Sequence, residues 1–313
     1  MESLSSAYGL THLTQAVVHY NEALLRRARG APNTYVAEAL FHCLNQLQSG
    51  MAVAVNADNR EIAKFTRLVR MGTSSDVGVR RFLGPELRAV ASLQPQVMSH
   101  RVLRRHEYDP DTPIDPRLLG QATRAHRELV NALNKWERSA SDETLGLVVN
   151  QSAELLYLVR SNVSHGEKTP YGPDVAKRER DENVCRLVVP VQLVLIDLLL
   201  DQPRQKLVVY GTLAPGASNH ALVESLGGTW LQCSIEARVA THHGLPVLAW
   251  QPGRGSPPVS AAMLHSEELS DYWLRLDAFE GGGYRRELIV AAVPEPDDAS
   301  AVCVANVYVG AHN

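Results

Sequence analysis

Cysteine is scarce in this chain, with four among 313 residues: Cys43, Cys185, Cys233 and Cys303. They are scattered, none forms a C-x-x-C pair, and their neighbours are apolar, so they read as buried reduced thiols of a cytosolic protein rather than a disulfide framework. A basic segment followed by an apolar run is missing after Met1-Glu2-Ser3-Leu4, so no signal peptide is expected. Long hydrophobic runs are also missing. The most apolar stretch, Val184 to Leu200, is broken by Arg186, Gln192 and Asp197, and it reads as a core helix rather than a membrane span. Charge of one sign is lacking as well. The formal net charge of −3 gives no global field that would draw the protein onto nucleic acid. No repeat or low-complexity tract is present. The histidines, including His242-His243, lack the spacing of metal ligands.

What is present divides the chain in two. Residues 1–203 carry 24 Lys+Arg against 23 Asp+Glu, and residues 204–313 carry 7 against 11, so most cations lie in the first part. That part has helical periodicity. Leu10–Arg29 is amphipathic and ends at Gly30, and a second helix starts near Asn33-Thr34. Asp58–Arg70 predicts a short third helix closed by Gly72, and Val77–Leu93 has no decided pattern. A loop rich in proline and aspartate spans Asp109 to Pro116. A long helix then begins at Pro116, another follows Ser141-Asp142-Glu143, and the last runs from about Val175 to Leu200. From Lys206 onward the pattern turns strand-like, at Leu207–Tyr210, Trp230–Thr241, Leu288–Val293 and Val302–Val309. The expected organisation is an all-α domain over 1–203 followed by a mixed α+β domain over 204–313.

Three C-terminal segments carry chemistry. Tyr210-Gly211-Thr212-Leu213-Ala214-Pro215-Gly216 follows a strand, and exposed N–H groups in such a turn bind carboxylate or phosphate. Leu276-Asp277-Ala278-Phe279-Glu280-Gly281-Gly282-Gly283-Tyr284-Arg285-Arg286 sets a carboxylate before three glycines and an aromatic–cation pair. The third is the terminal strand around Tyr308. Each has a plain reading: a simple turn, a solvated loop carboxylate, a strand-packing aromatic. In this order and at these separations they resemble the γ-glutamylcyclotransferase-like superfamily, which includes the AIG2-like proteins. The resemblance implies a small mixed barrel with flanking helices. It also implies that the α-amine of a γ-glutamyl group attacks its own γ-carbonyl and releases 5-oxoproline. Carried over, Glu280 is the acid/base, and Tyr210, Gly211, Thr212, Leu213, Tyr284 and Tyr308 bind the substrate. Asp277 is structural, and neither metal nor cofactor is needed. One departure stands out, because the strand around Pro257–Leu264 has Ser260 or Ala261 where the family usually has glycine.

The helical part offers Arg160 and His165, five residues apart, where an apolar helix gives way to a loop. Arginine clamps a phosphodiester and histidine shuttles protons near neutral pH. The spacing also recurs by chance, and such residues can simply satisfy the last carbonyls of a helix. In its all-helical setting, Val159-Arg160-Ser161-Asn162-Val163-Ser164-His165-Gly166-Glu167-Lys168 resembles the Arg-x4–6-His motif of the HEPN family. The resemblance implies a HEPN-like helical bundle that dimerises and cleaves RNA without metal, with Asn162 and Lys168 as RNA contacts. Ser161 stands where active members often have a more polar residue. Such a pairing of domains suits a bacterial effector in toxin, stress-response or antiphage roles. The alternative is a cyclotransferase whose helical domain only dimerises or binds RNA or nucleotide, and a third reading makes both pockets inert sensors. The expected partners are a γ-glutamyl small molecule, RNA and a second copy of the chain, with no membrane and a cytoplasmic location.

Overall fold

The computed structural model describes residues 7–52, 65–67, 70, 85–99, 102, 114–164, 171–242, 245–250, 252, 255–294 and 300–311. The chain forms two compact units, Glu22–Leu199 and Met1–Asn21 together with Leu200–Asn313. Among the described residues no helix is long and apolar enough to cross a membrane.

The first unit is helical. Helix α1 (Ala7–Ala28) ends at Gly30, whose φ of +71° is a left-handed stop that glycine adopts without strain. Its residues from Glu22 onward belong to this unit. Helix α2 (Asn33–Ala52) packs against α6 (Val175–Leu199), where the buried Gln192 amide donates to the Ala37 carbonyl at 3.1 Å. Between them in sequence lie α3 (Pro85–Ala91), α4 (Pro116–Arg138) and α5 (Asp142–Ser164). Helix α4 starts as its sequence predicts. Pro116 occupies the first turn, and the Asp115 carboxylate accepts the Arg117 N–H. The backbone of α4 breaks at Gly120, which leaves helical geometry. Ser141 caps α5 by accepting the Thr144 N–H at 3.2 Å. The expected helix over Asp58–Arg70 lies mostly outside the described residues, although 65–67 and 70 are helical.

The second unit is a closed five-stranded barrel in the order β1 (Lys206–Val209), β5 (Pro258–His265), β2 (Thr229–Glu236), β6 (Tyr284–Pro294), β7 (Ser300–Gly310). Strands β1 and β7 run parallel, which closes the barrel, and the remaining neighbours are antiparallel. Strand β1 is buried on both faces. Val208 points into the barrel with Ile235, Met263, Ile289 and Val307, while Leu207 and Val209 pack outward with Leu264, Trp273 and Leu276. The outer layer is α8 (Leu269–Glu280) and the single turn α7 (Ala221–Glu224). Asn21 satisfies the backbone of β6 at Leu288, away from the Ser234–Ala292 pairing with β2. Its side-chain amide donates to the Leu288 carbonyl and accepts the Leu288 N–H, both at 2.8 Å, as a neighbouring strand would. This contact ties Asn21 to the barrel unit, to which it belongs.

The alternating run Trp230–Thr241 is not one strand. Strand β2 stops at Glu236, Ala237 turns inward, and β3 (Arg238–His242) pairs with β4 (Leu245–Ala249) as a separate two-stranded hairpin. Entry into β2 depends on Gly228, which has φ +97° and would put a Cβ 2.2 Å from the His265 carbonyl oxygen. Gly227 also has positive φ, at +60°, but open space around it. Gly228→Ala is therefore expected to destabilise this unit by more than about 2 kcal/mol, against about 1 kcal/mol for Gly227→Ala. Urea unfolding of the two variants checks this, and equal losses would contradict the close backbone approach.

Candidate active site

A cleft of about 190 Å³ opens between the turn after β1, the end of α8 and the first residues of β6. Tyr210, Gly211, Thr212, Leu213, Glu280, Tyr284 and Tyr308 all line it, so the residues expected from the C-terminal motifs meet in one place. Asn219, Pro246 and Phe279 line it as well, and the sequence reading did not single them out for this site.

Helix α8 aims Glu280 at the cleft. Trp273, Asp277 and Glu280 recur at i, i+4 and i+7 and so share one face. Trp273 is buried, and its indole N–H donates to the Arg204 carbonyl at 2.7 Å. Asp277 accepts the Tyr308 hydroxyl at 2.7 Å and the Arg286 guanidinium at 3.2 Å, and that guanidinium lies 4.3 Å from the centre of the Trp273 ring. The helix ends at Gly281, φ +65°, immediately after Glu280.

Glu280 itself has no ion pair among the described residues, and the two arginines that follow it in sequence are engaged elsewhere. Arg286 is bound to Asp277, and Arg285 contacts Glu287 and the Ala311 carbonyl. Burial pushes the Glu280 carboxyl up to about 7. Its place in the last turn of α8 acts in the same direction, since the helix C-terminus carries partial negative charge.

The three tyrosines line the cleft and donate their hydroxyl protons to protein acceptors. Tyr210 donates to the Tyr308 carbonyl at 2.8 Å and accepts the Leu248 N–H at 3.2 Å. Tyr284 donates to the Pro246 carbonyl at 3.3 Å. Burial raises the Tyr210 hydroxyl to about 12 and shifts Tyr308 and Tyr284 upward too, so none is an acid near neutral pH. Gly211 is small for a specific reason, because a Cβ there would lie 3.0 Å from the Pro246 ring. Among the described residues, no acceptor is paired with the N–H groups of Gly211, Thr212 and Leu213. The turn is held by Asn219, whose N–H donates to the Thr212 carbonyl at 2.9 Å, and by the His220 ring on the Leu213 carbonyl at 3.1 Å. Together these groups provide a proton carrier, a row of neutral donors and an apolar wall. Among the described residues no group of three or more His, Cys, Asp or Glu is placed to hold a metal ion.

Sequence comparison agrees with this geometry over one third of the chain. Residues 207–313 match the family model described as gamma-glutamyl cyclotransferase, AIG2-like. The match covers the cleft and none of the helical unit. Among solved structures, an AIG2-like protein from Mus musculus is 27% identical over 35% of this chain and 78% of its own, with a TM-score of 0.27. YkqA from Bacillus subtilis is 20% identical over 34% of this chain, also with a TM-score of 0.27, and the match spans only 35% of the YkqA chain. No curated protein matches the chain.

The helical unit gives a different picture. Arg160 stands near the end of α5 with its guanidinium 5.8 Å and 5.5 Å from the ring centres of Phe65 and Tyr157. Asn162, expected as an RNA contact, is instead buried, and its amide donates to the Met98 carbonyl at 2.8 Å. This satisfies the interior amide with a backbone carbonyl. His165 and Lys168 lie outside the described residues.

The raised Glu280 carboxyl also affects stability. The folded state holds its proton more tightly than the unfolded chain does, so stability from this group falls as pH rises from about 4.5 to about 7 and is flat on either side. Glu280→Gln removes that dependence. The variant is expected to gain stability relative to the parent across this window, measured by denaturant midpoints at pH 4.5, 6 and 8. A difference that does not change with pH would mean the carboxyl is solvated.

Proposed function

We propose that the AIG2-like region is a γ-glutamyl cyclotransferase, and the unpaired, half-buried Glu280 beside three unpaired backbone N–H groups is the observation that carries this reading. The cleft is smaller than the roughly 300–1,000 Å³ of drug-sized pockets, which suits a glutamyl group held inside with its amine carrier outside.

The reaction is a ring closure. The substrate α-amine forms a bond to its own γ-carbonyl carbon, and the bond from that carbon to the leaving amine breaks. The products are 5-oxoproline and a free amine. The attacking nitrogen must lose a proton and the leaving nitrogen must gain one. Glu280 performs both transfers, and a carboxyl that titrates near 7 has both forms populated at neutral pH. The Gly211, Thr212 and Leu213 N–H groups are donors for the charge that develops on the carbonyl oxygen or for the glutamyl carboxylate. Pro246, Phe279 and the tyrosine rings keep the two reacting ends folded together, and this geometry is a large part of the acceleration in an intramolecular reaction.

Glu280→Gln keeps the shape and removes the proton carrier. It is expected to lower 5-oxoproline release by about 100-fold or more, with kcat/KM of the parent showing an inflection near pH 7. The assay is 5-oxoproline release from a panel of γ-glutamyl amines and γ-glutamyl peptides. Equal release by the variant, or none by the parent across the panel, would refute the reading.

A further inference from the structure

The polar groups around the cleft fall into two sets. The hydroxyl protons of Tyr210, Tyr308 and Tyr284 are all donated to protein acceptors. The groups left for a ligand are the Gly211–Leu213 N–H row, the Thr212 hydroxyl, the Glu280 carboxyl and the Asn219 carboxamide. Asn219 is fixed from behind. Its N–H is on the Thr212 carbonyl at 2.9 Å, and its carbonyl accepts the Leu222 N–H at 3.1 Å. Asn219 lines the cleft with both of its backbone groups so engaged, and its carboxamide has no protein partner among the described residues.

A γ-glutamyl group brings three polar ends: an α-amine, a γ-carbonyl and an α-carboxylate. Proton transfer assigns the amine to Glu280. The carboxylate then needs donors, and among the described lining residues none carries a Lys, Arg or His side chain. This has a chemical reason. A guanidinium or ammonium close enough to hold the substrate carboxylate would also stabilise ionised Glu280 and remove its basicity. A carboxamide donates without that side effect.

We propose that Asn219 is a specificity-determining residue that donates its side-chain N–H to the α-carboxylate of the γ-glutamyl group, and so makes a free α-carboxylate a requirement of the site. The proposal rests on the cyclotransferase reading for the identity of the ligand, but binding alone can test it.

The probes are 5-oxoproline, which retains the α-carboxylate, and 5-oxoprolinamide, which replaces it with a neutral amide. Titration calorimetry with the full chain measures both against the parent, Asn219→Asp and Asn219→Ala. Asn219→Asp sets carboxylate against carboxylate and is expected to weaken 5-oxoproline about tenfold or more, with 5-oxoprolinamide changed about threefold or less. Asn219→Ala is expected to weaken 5-oxoproline by about tenfold without the charge dependence, and it carries the test if the Asp variant does not fold. Equal losses for the two probes in Asn219→Asp, unchanged 5-oxoproline affinity in both variants, or no binding of 5-oxoproline by the parent would each overturn the proposal. The two readings fail separately. Selective binding of 5-oxoproline without its release from any γ-glutamyl compound removes the chemistry and keeps the recognition. Release with unchanged binding in the variants does the opposite.

Discussion

A carboxylate that is half-buried and left unpaired is costly, and the C-terminal unit is built to tolerate one at Glu280. Water is kept off it by the rings of Tyr210, Tyr284 and Tyr308 and by Pro246 and Phe279. Of the two arginines that follow it in sequence, Arg285 contacts Glu287 and Arg286 is held on Asp277 and over Trp273. Asp277 and Glu280 sit one turn apart on the same helix face and have opposite surroundings: the first is paired with a guanidinium and a hydroxyl, the second is desolvated. That contrast assigns their roles better than their identity as acids does.

The barrel supplies the rigidity this arrangement requires. Strand β1 is buried on both faces, so the turn that follows it starts from a fixed point. Helix α8 is pinned to the strand layer through Trp273, and it ends at a glycine in the left-handed region just past Glu280. Arg160 in the helical unit has a different environment. It lies against the aromatic rings of Phe65 and Tyr157, an arrangement that packs the stem and face of the side chain as much as it displays its charge.

The sequence revealed local features and missed those that depend on distant partners. Gly30, Asp115 with Pro116, and Ser141 mark helix ends through chemistry confined to a few residues, and the helices begin and stop there. Strand β1 was legible as a short β-branched run. The break at Ala237 was not, because the alternation continues through it and only pairing with β4 reveals a second sheet. The bond from the buried Asn162 amide to a carbonyl 64 positions away was equally illegible. Glu280 and the Gly211–Leu213 turn were legible from motif order. Asn219 was not, since a polar residue in a loop gives no signal until the loop folds back onto Thr212. The tyrosine hydroxyls were equally hidden, because Asp277, Pro246 and the Tyr308 carbonyl reach them from across the fold.

The isolation of Glu280 from water and from cations can be observed directly. A carboxyl-carbon NMR titration, with the Glu280 signal assigned by comparison with Glu280→Gln, reports its protonation without substrate or turnover. A midpoint at about 7 is expected. A midpoint near 4.5, the ordinary value for a solvated glutamate, would contradict the desolvated acid/base on which the chemistry depends.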